Sequence, residues 1–114
     1  MRVLLTGGGG YIGNVMVRYL LGRGYDVVVL DRLFFGVEPL RDVLGEEGFT
    51  LIHDDVRWFD PYVLEGVDAV IDMAAIANDP AGELRPEYTM SINCWGRVRV
   101  AKLSRKYGVR RYIY

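Results

Sequence analysis

A chain of 114 residues with 14 basic and 15 acidic side chains, 51% apolar residues and 14 glycines has the balance of one ordinary soluble domain. That balance excludes a disordered segment or a fibre, and a domain of this length buries roughly two thirds of its unfolded surface, so a core forms without disulfides or metal. No apolar run approaches the roughly 20 residues of a membrane helix, the start Met1-Arg2-Val3-Leu4-Leu5-Thr6 has no secretory pattern, and Cys94 is alone, so a cytoplasmic protein without a membrane partner is expected.

Residues 88–114 hold seven basic side chains and no acid, against seven basic and fifteen acidic in residues 1–87. Arg97, Arg99, Lys102, Arg105 and Lys106 are interleaved with Val98, Val100, Ala101 and Leu103, the pattern of a solvated helix face rather than of a nucleic-acid site.

Arg2 to Leu5 is an aliphatic run ending in Thr6 and four glycines, which predicts a buried strand entering a tight turn. A helix follows, with Ile12, Val15, Met16, Tyr19 and Leu20 at helical spacing and Gly22 and Gly24 at its close. Asp26 to Asp31 is almost continuously apolar between two acids, as expected of a parallel strand covered on both faces. A loop over 32–36 and a short helix opening near Pro39 and stopping by Gly45 or Gly48 lead to a third strand, Phe49 to His53. Asp60 reads as an N-cap before Pro61, opening one or two turns that end at Gly66, and Ala69 to Met73 is the fourth strand. Asn78-Asp79-Pro80 and Gly82 mark a loop over 74–85, after which Pro86 opens a long helix to about Tyr107, stopped by Gly108. Its face is Ile92, Gly96, Val100, Leu103 and Tyr107. Val109 to Tyr114 returns as a fifth strand.

Strands and helices alternating at these intervals predict an α/β, Rossmann-type doubly wound parallel sheet in the order 3-2-1-4-5. No repeat or low-complexity segment interrupts it. A chain that ends within or just after its fifth predicted strand, with no later helix to cover it, is expected to be the front part of a longer protein.

Gly7, Gly10 and Gly13 form Gly-x-x-Gly-x-x-Gly directly after a strand and at the opening of a helix. The first permits the sharp turn, the second removes a side chain that would block a pyrophosphate, and the third lets helix and strand pack closely. Free N–H groups around Tyr11 and Ile12 are then available to hydrogen-bond the anion. Asp31 follows at the C-terminal end of the second strand, near the spacing of about 20 residues expected of a ribose-binding acid. A carboxylate there accepts hydrogen bonds from both adenosine ribose hydroxyls and repels a 2′-phosphate, favouring NAD over NADP. Arg32 leaves two readings open, a guanidinium that receives the extra phosphate or one that stacks on adenine.

Thr6-Gly-Gly-Gly-Gly-Tyr-Ile-Gly13 resembles the opening of the extended short-chain dehydrogenase/reductases, in particular the NAD-dependent sugar-nucleotide epimerases and dehydratases. The resemblance runs along the whole chain and implies an NAD-binding domain over 1–114. Asp55-Val56-Arg57 resembles the family's Asp-Ile/Val-Arg, which implies that Asp55 meets the adenine amino group and the Val56 N–H the ring. Val70-Ile71-Asp72-Met73-Ala74-Ala75 resembles a strand ending in His-Leu-Ala-Ala beside the cofactor ribose and nicotinamide, with Asp72 in place of the histidine. Glu83-Leu84-Arg85-Pro86 is similar to the loop that borders the substrate, and Asn93 to a helix asparagine that helps hold the catalytic architecture. The resemblance further implies a nucleotide-sugar substrate and a homodimer through the helix near 86–107.

No Tyr-x-x-x-Lys occurs, so no catalytic residue is expected within the chain. A non-catalytic dinucleotide-sensing module and a reductase of a non-nucleotide substrate are the alternatives. His53, Cys94, Asp54 and Asp55 lack a closely spaced ligand pair, so no metal is expected. Phe34, Phe35, Trp58 and Phe59 read as packing or as adenine-pocket walls.

Overall fold

The computed structural model describes residues 1–76 and 86–114. The strands are β1 (Arg2–Thr6), β2 (Asp26–Asp31), β3 (Phe49–His53), β4 (Ala69–Asp72) and β5 (Arg111–Ile113). They form one sheet in the order β3-β2-β1-β4-β5, each neighbouring pair parallel. Helix α1 (Tyr11–Gly22) links β1 to β2, and short 3₁₀ segments at Glu38–Val43 and Pro61–Leu64 stand in the next two connections. Before β5 the chain runs as α2 (Pro86–Met90), a π-helical segment (Ser91–Gly96) and α3 (Arg97–Lys106).

Alternation along the strands explains the two cores. Leu4, Val28, Leu30 and Val70 point to one face, against Phe59, Leu64, Ile92 and Val100. Val3, Leu5, Val27 and Val29 point to the other, against Val17, Leu20, Leu40 and Val43. Every apolar residue of β2 is therefore buried, the reason its sequence is apolar without alternation. β3, at the sheet edge, is only half covered.

Several boundaries differ from expectation. The turn near Pro39 begins at Glu38 and is 3₁₀ throughout Glu38–Val43 rather than α-helical. Asp60 caps the next turn, its carboxylate accepting the Tyr62 N–H at 3.0 Å. The fifth strand is shorter than expected, Arg111–Ile113, pairing with Ala69 to Ile71 of β4. The face of α1 is corrected: Gly13, Val17 and Leu20 are buried, whereas Ile12, Val15 and Tyr19 are exposed by 58–64%. The basic helix is corrected in part. Lys102, Arg105 and Lys106 are solvated, but Arg99 stacks on Phe59 at 4.5 Å and donates to the Phe59 carbonyl at 2.8 Å. Asn78, Asp79, Pro80, Gly82 and Glu83-Leu84-Arg85 lie outside the described residues.

Candidate cofactor site

The register aligns Thr6 with Leu30 on one side and with Asp72 on the other, so the loops after β1, β2 and β4 open at one edge of the sheet. A pocket at that edge is lined by Gly7, Gly9, Gly10, Asp31, Arg32, Phe34, Phe35, Asp54, Asp55, Val56, Met73, Ala74, Ala75, Ile76 and Ile92, over the end of Leu30.

The glycine turn forms its floor. Gly7 has φ +75°, and a Cβ there would stand 2.9 Å from the Met73 carbonyl and the Ala74 nitrogen, so only glycine lets β1 and β4 leave the sheet side by side. A Cβ on Gly13 would fall 2.2 Å from the Gly7 carbonyl oxygen, so the third glycine is what allows α1 to close on the turn. Gly10 caps α1 without a side-chain hydrogen bond, and no acid occupies the first helical turn. The orphan N–H groups at Tyr11, Ile12 and Gly13 therefore have no carboxylate competing for them, which fits a bound pyrophosphate.

Asp31 accepts the Gly9 N–H at 2.8 Å and the Leu33 N–H at 2.6 Å, tying the glycine turn to the loop after β2. The second bond holds Leu33 at φ 58°, a left-handed conformation unfavourable for a branched side chain. A carboxylate has about four acceptor positions, so this arrangement leaves room for ribose hydroxyls. Asp55, 3% exposed, accepts from Arg57 three times: from Nε at 2.9 Å, from the second guanidinium nitrogen at 2.7 Å and from the backbone N–H at 2.9 Å. Burial alone would raise its pKa, but the Arg57 hydrogen bonds and the charges of Arg57 and Arg32 more than offset this and hold it below the ordinary carboxylate value.

On the β4 side, the Thr6 hydroxyl donates to Asp72 at 2.6 Å and accepts the N–H groups of Met73 and Ala74 at 3.0 and 3.1 Å. Asp72, 2% exposed, also accepts the Tyr112 hydroxyl and lies 3.7 Å from Arg97 Nε. Burial first, then this bond to Asp72, raises the Tyr112 pKa. Asn93 does not line the pocket. Its amide clamps Ile76, accepting the N–H at 2.8 Å and donating to the carbonyl at 2.9 Å.

The pocket therefore gathers Gly7, Gly10, Asp31, Arg32, Asp55, Val56, Met73, Ala74 and Ala75, while Tyr11, Ile12 and Gly13 belong to the helix start beside it and Asn93 stands behind it. Phe34 and Phe35 are walls of it, Phe59 is core and Trp58 is exposed under the Arg57 guanidinium. Sequence reasoning missed Gly9, whose N–H Asp31 holds, and the tie from Arg57 to Ser91 Oγ at 3.1 Å, which joins the loop after β3 to the π-helical segment. The four-glycine run held a signal for the first; nothing local marks the second. His53 donates through Nε2 to the Arg32 carbonyl oxygen at 2.8 Å rather than meeting Cys94.

A UDP-glucuronic acid decarboxylase of Arabidopsis thaliana is 33% identical over 111 residues, covering 96% of this chain and 25% of that protein. Among solved structures, a UDP-N-acetylglucosamine 4-epimerase of Methanobrevibacter ruminantium superposes with a TM-score of 0.90 at 26% identity, covering 99% of this chain and 36% of the other. A dTDP-glucose 4,6-dehydratase of Streptomyces venezuelae with NAD bound superposes with a TM-score of 0.87 at 30% identity, covering 98% and 38%. The chain thus spans about a quarter of the length of the curated relatives it matches first. Residues 3–114 match one family, and the chain belongs to it: the NAD-dependent epimerase/dehydratase family.

Proposed function

We propose that residues 1–114 are the NAD-binding domain of an oxidoreductase acting on a nucleoside-diphosphate sugar as an epimerase, a dehydratase or a related enzyme. The observation that carries this is the meeting of Asp31 with the glycine turn in one pocket at the C-terminal edge of the sheet, where doubly wound folds bind dinucleotides. In this reading the start of α1 holds the pyrophosphate, and Asp31 accepts the adenosine ribose hydroxyls. Arg32, Asp55 and Val56 border the adenine, and Met73, Ala74 and Ala75 the nicotinamide side. NAD, when bound, supplies hydride transfer at a sugar carbon. The names of the relatives support a nucleotide-sugar substrate.

A homodimer through residues 86–107 goes with this reading, supported by Met90, Trp95 and Val98, which are exposed on that helical stretch. So does a cytoplasmic location, supported by the unpaired Cys94; among the described residues no helix is long and apolar enough to cross a membrane. Calorimetric titration of the intact protein with NAD(H) and NADP(H) tests the cofactor assignment. Saturable binding with NAD(H) tighter is the expected outcome, and tighter NADP(H) overturns it.

A further inference from the structure

Arg32 follows the ribose-binding acid directly, where a guanidinium is suited to receive a 2′-phosphate. Its Nε instead lies 3.3 Å from Asp55 Oδ2, and its guanidinium stacks on Phe34 at 4.6 Å. The two partners differ in freedom: the Arg32 side chain is 37% exposed, that of Asp55 only 3%. Asp55 cannot follow Arg32, because Arg57 grips both of its oxygens and is itself held by Ser91 and laid over the Trp58 ring.

We propose that Asp55 is a specificity-determining residue of the cofactor site, acting as a fixed counter-ion that draws Arg32 to the adenine side and keeps it from a 2′-phosphate. The proposal rests on the dinucleotide reading. Two anions then oppose an NADP phosphate in different ways: Asp31 repels it where it would sit, and Asp55 occupies the cation that would neutralise it. Asp31 alone makes the site selective by repulsion; with Asp55 it also withholds the attraction.

The test is calorimetry of the intact protein with 5′-AMP and 2′,5′-ADP (adenosine 2′,5′-bisphosphate), which differ only by the phosphate in question. Asp55→Asn keeps the shape and an oxygen for the Arg57 N–H while removing the charge. It is expected to raise affinity for 2′,5′-ADP relative to 5′-AMP by about tenfold, the scale of one charge interaction in a partly solvated site. Adding Arg32→Ala is expected to abolish that gain. A gain that survives the second substitution, or no gain at all in a variant that still binds 5′-AMP, overturns the proposal. Should Asp55→Asn fail to fold, Arg32→Ala alone decides: an equal effect on both nucleotides supports the lock, and a selective loss of 2′,5′-ADP overturns it. Unaltered protein that binds neither nucleotide refutes the cofactor reading itself.

Discussion

Asp31 holds two backbone N–H groups before any ribose arrives, so its carboxylate is oriented by the fold rather than by the ligand. In the proposed reading, Asp31→Ala removes the ribose bonds and this bracing together. The preference for NAD(H) over NADP(H) is expected to narrow by about 1.5–3 kcal/mol, read by calorimetry with both cofactors. Asp55 makes a prediction of a different kind. Its pKa is lowered in the folded state, so its contribution to stability is complete above its unfolded pKa, near 3.8, and is lost as pH falls through the lower folded value. Asp55→Asn is expected to flatten the acid limb of a stability-versus-pH curve measured by urea unfolding; an unchanged limb would mean that the Arg57 pair carries no linkage. Gly13 is constrained by space alone, and Gly13→Ala is expected to cost at least about 1–3 kcal/mol in thermal unfolding, the range of overpacked sites.

Among the elements, the helical stretch from Pro86 to Lys106 depends on an interruption. Its π-helical segment carries Asn93, whose amide substitutes for a strand partner by bonding both backbone groups of Ile76. Asn93→Ala is expected to cost about 1–3 kcal/mol and to speed hydrogen exchange at the Ile76 N–H; unchanged exchange there would refute the clamp. How far such elements were legible depends on how local their causes are. The run Val27 to Leu30 announced a strand buried on both faces, and Gly7, Gly10 and Gly13 announced the turn, because each requirement lies within a few residues. Helix α1 was legible as a helix, but periodicity could not tell its core stripe from the exposed Ile12, Val15 and Tyr19, since both are apolar. The bonds of Asp72 to Thr6 and Tyr112 span 66 and 40 residues, and Arg99 reaches Phe59 across 40, so pairing of that kind leaves no local pattern. The Asp72 departure from the family's histidine was visible in sequence; that the acid is buried and shared by three elements was not.

For the whole molecule, assembly and turnover are the open quantities. Trp95, 65% exposed, and Val98 lie one turn apart on the helical stretch that carries the solvated basic stems, a surface suited to packing against a second copy. Sedimentation of the full-length protein is expected to show a dimer, weakened by Trp95→Glu; a monomer across micromolar concentrations refutes this. Turnover needs more than the cofactor site. In the proposed reading the glycine turn, Asp31, Asp55 and Met73-Ala74-Ala75 hold a dinucleotide, but proton transfer at neutral pH needs an acid–base group with a matched pKa within reach of the substrate. No Tyr-x-x-x-Lys pair occurs in the chain. Tyr112 does not substitute for it, because burial and its bond to Asp72 push its hydroxyl further from neutrality. Residues 1–114 by themselves are therefore expected to show no oxidoreductase turnover even when folded and holding cofactor. A longer form of the protein assayed beside them, with NAD and a panel of nucleotide sugars, makes the comparison, read by absorbance of the reduced cofactor and by product composition. Turnover by residues 1–114 at a rate near that of the longer form would place the chemistry inside this chain and turn attention to Asp72, Asp79 and Asn93.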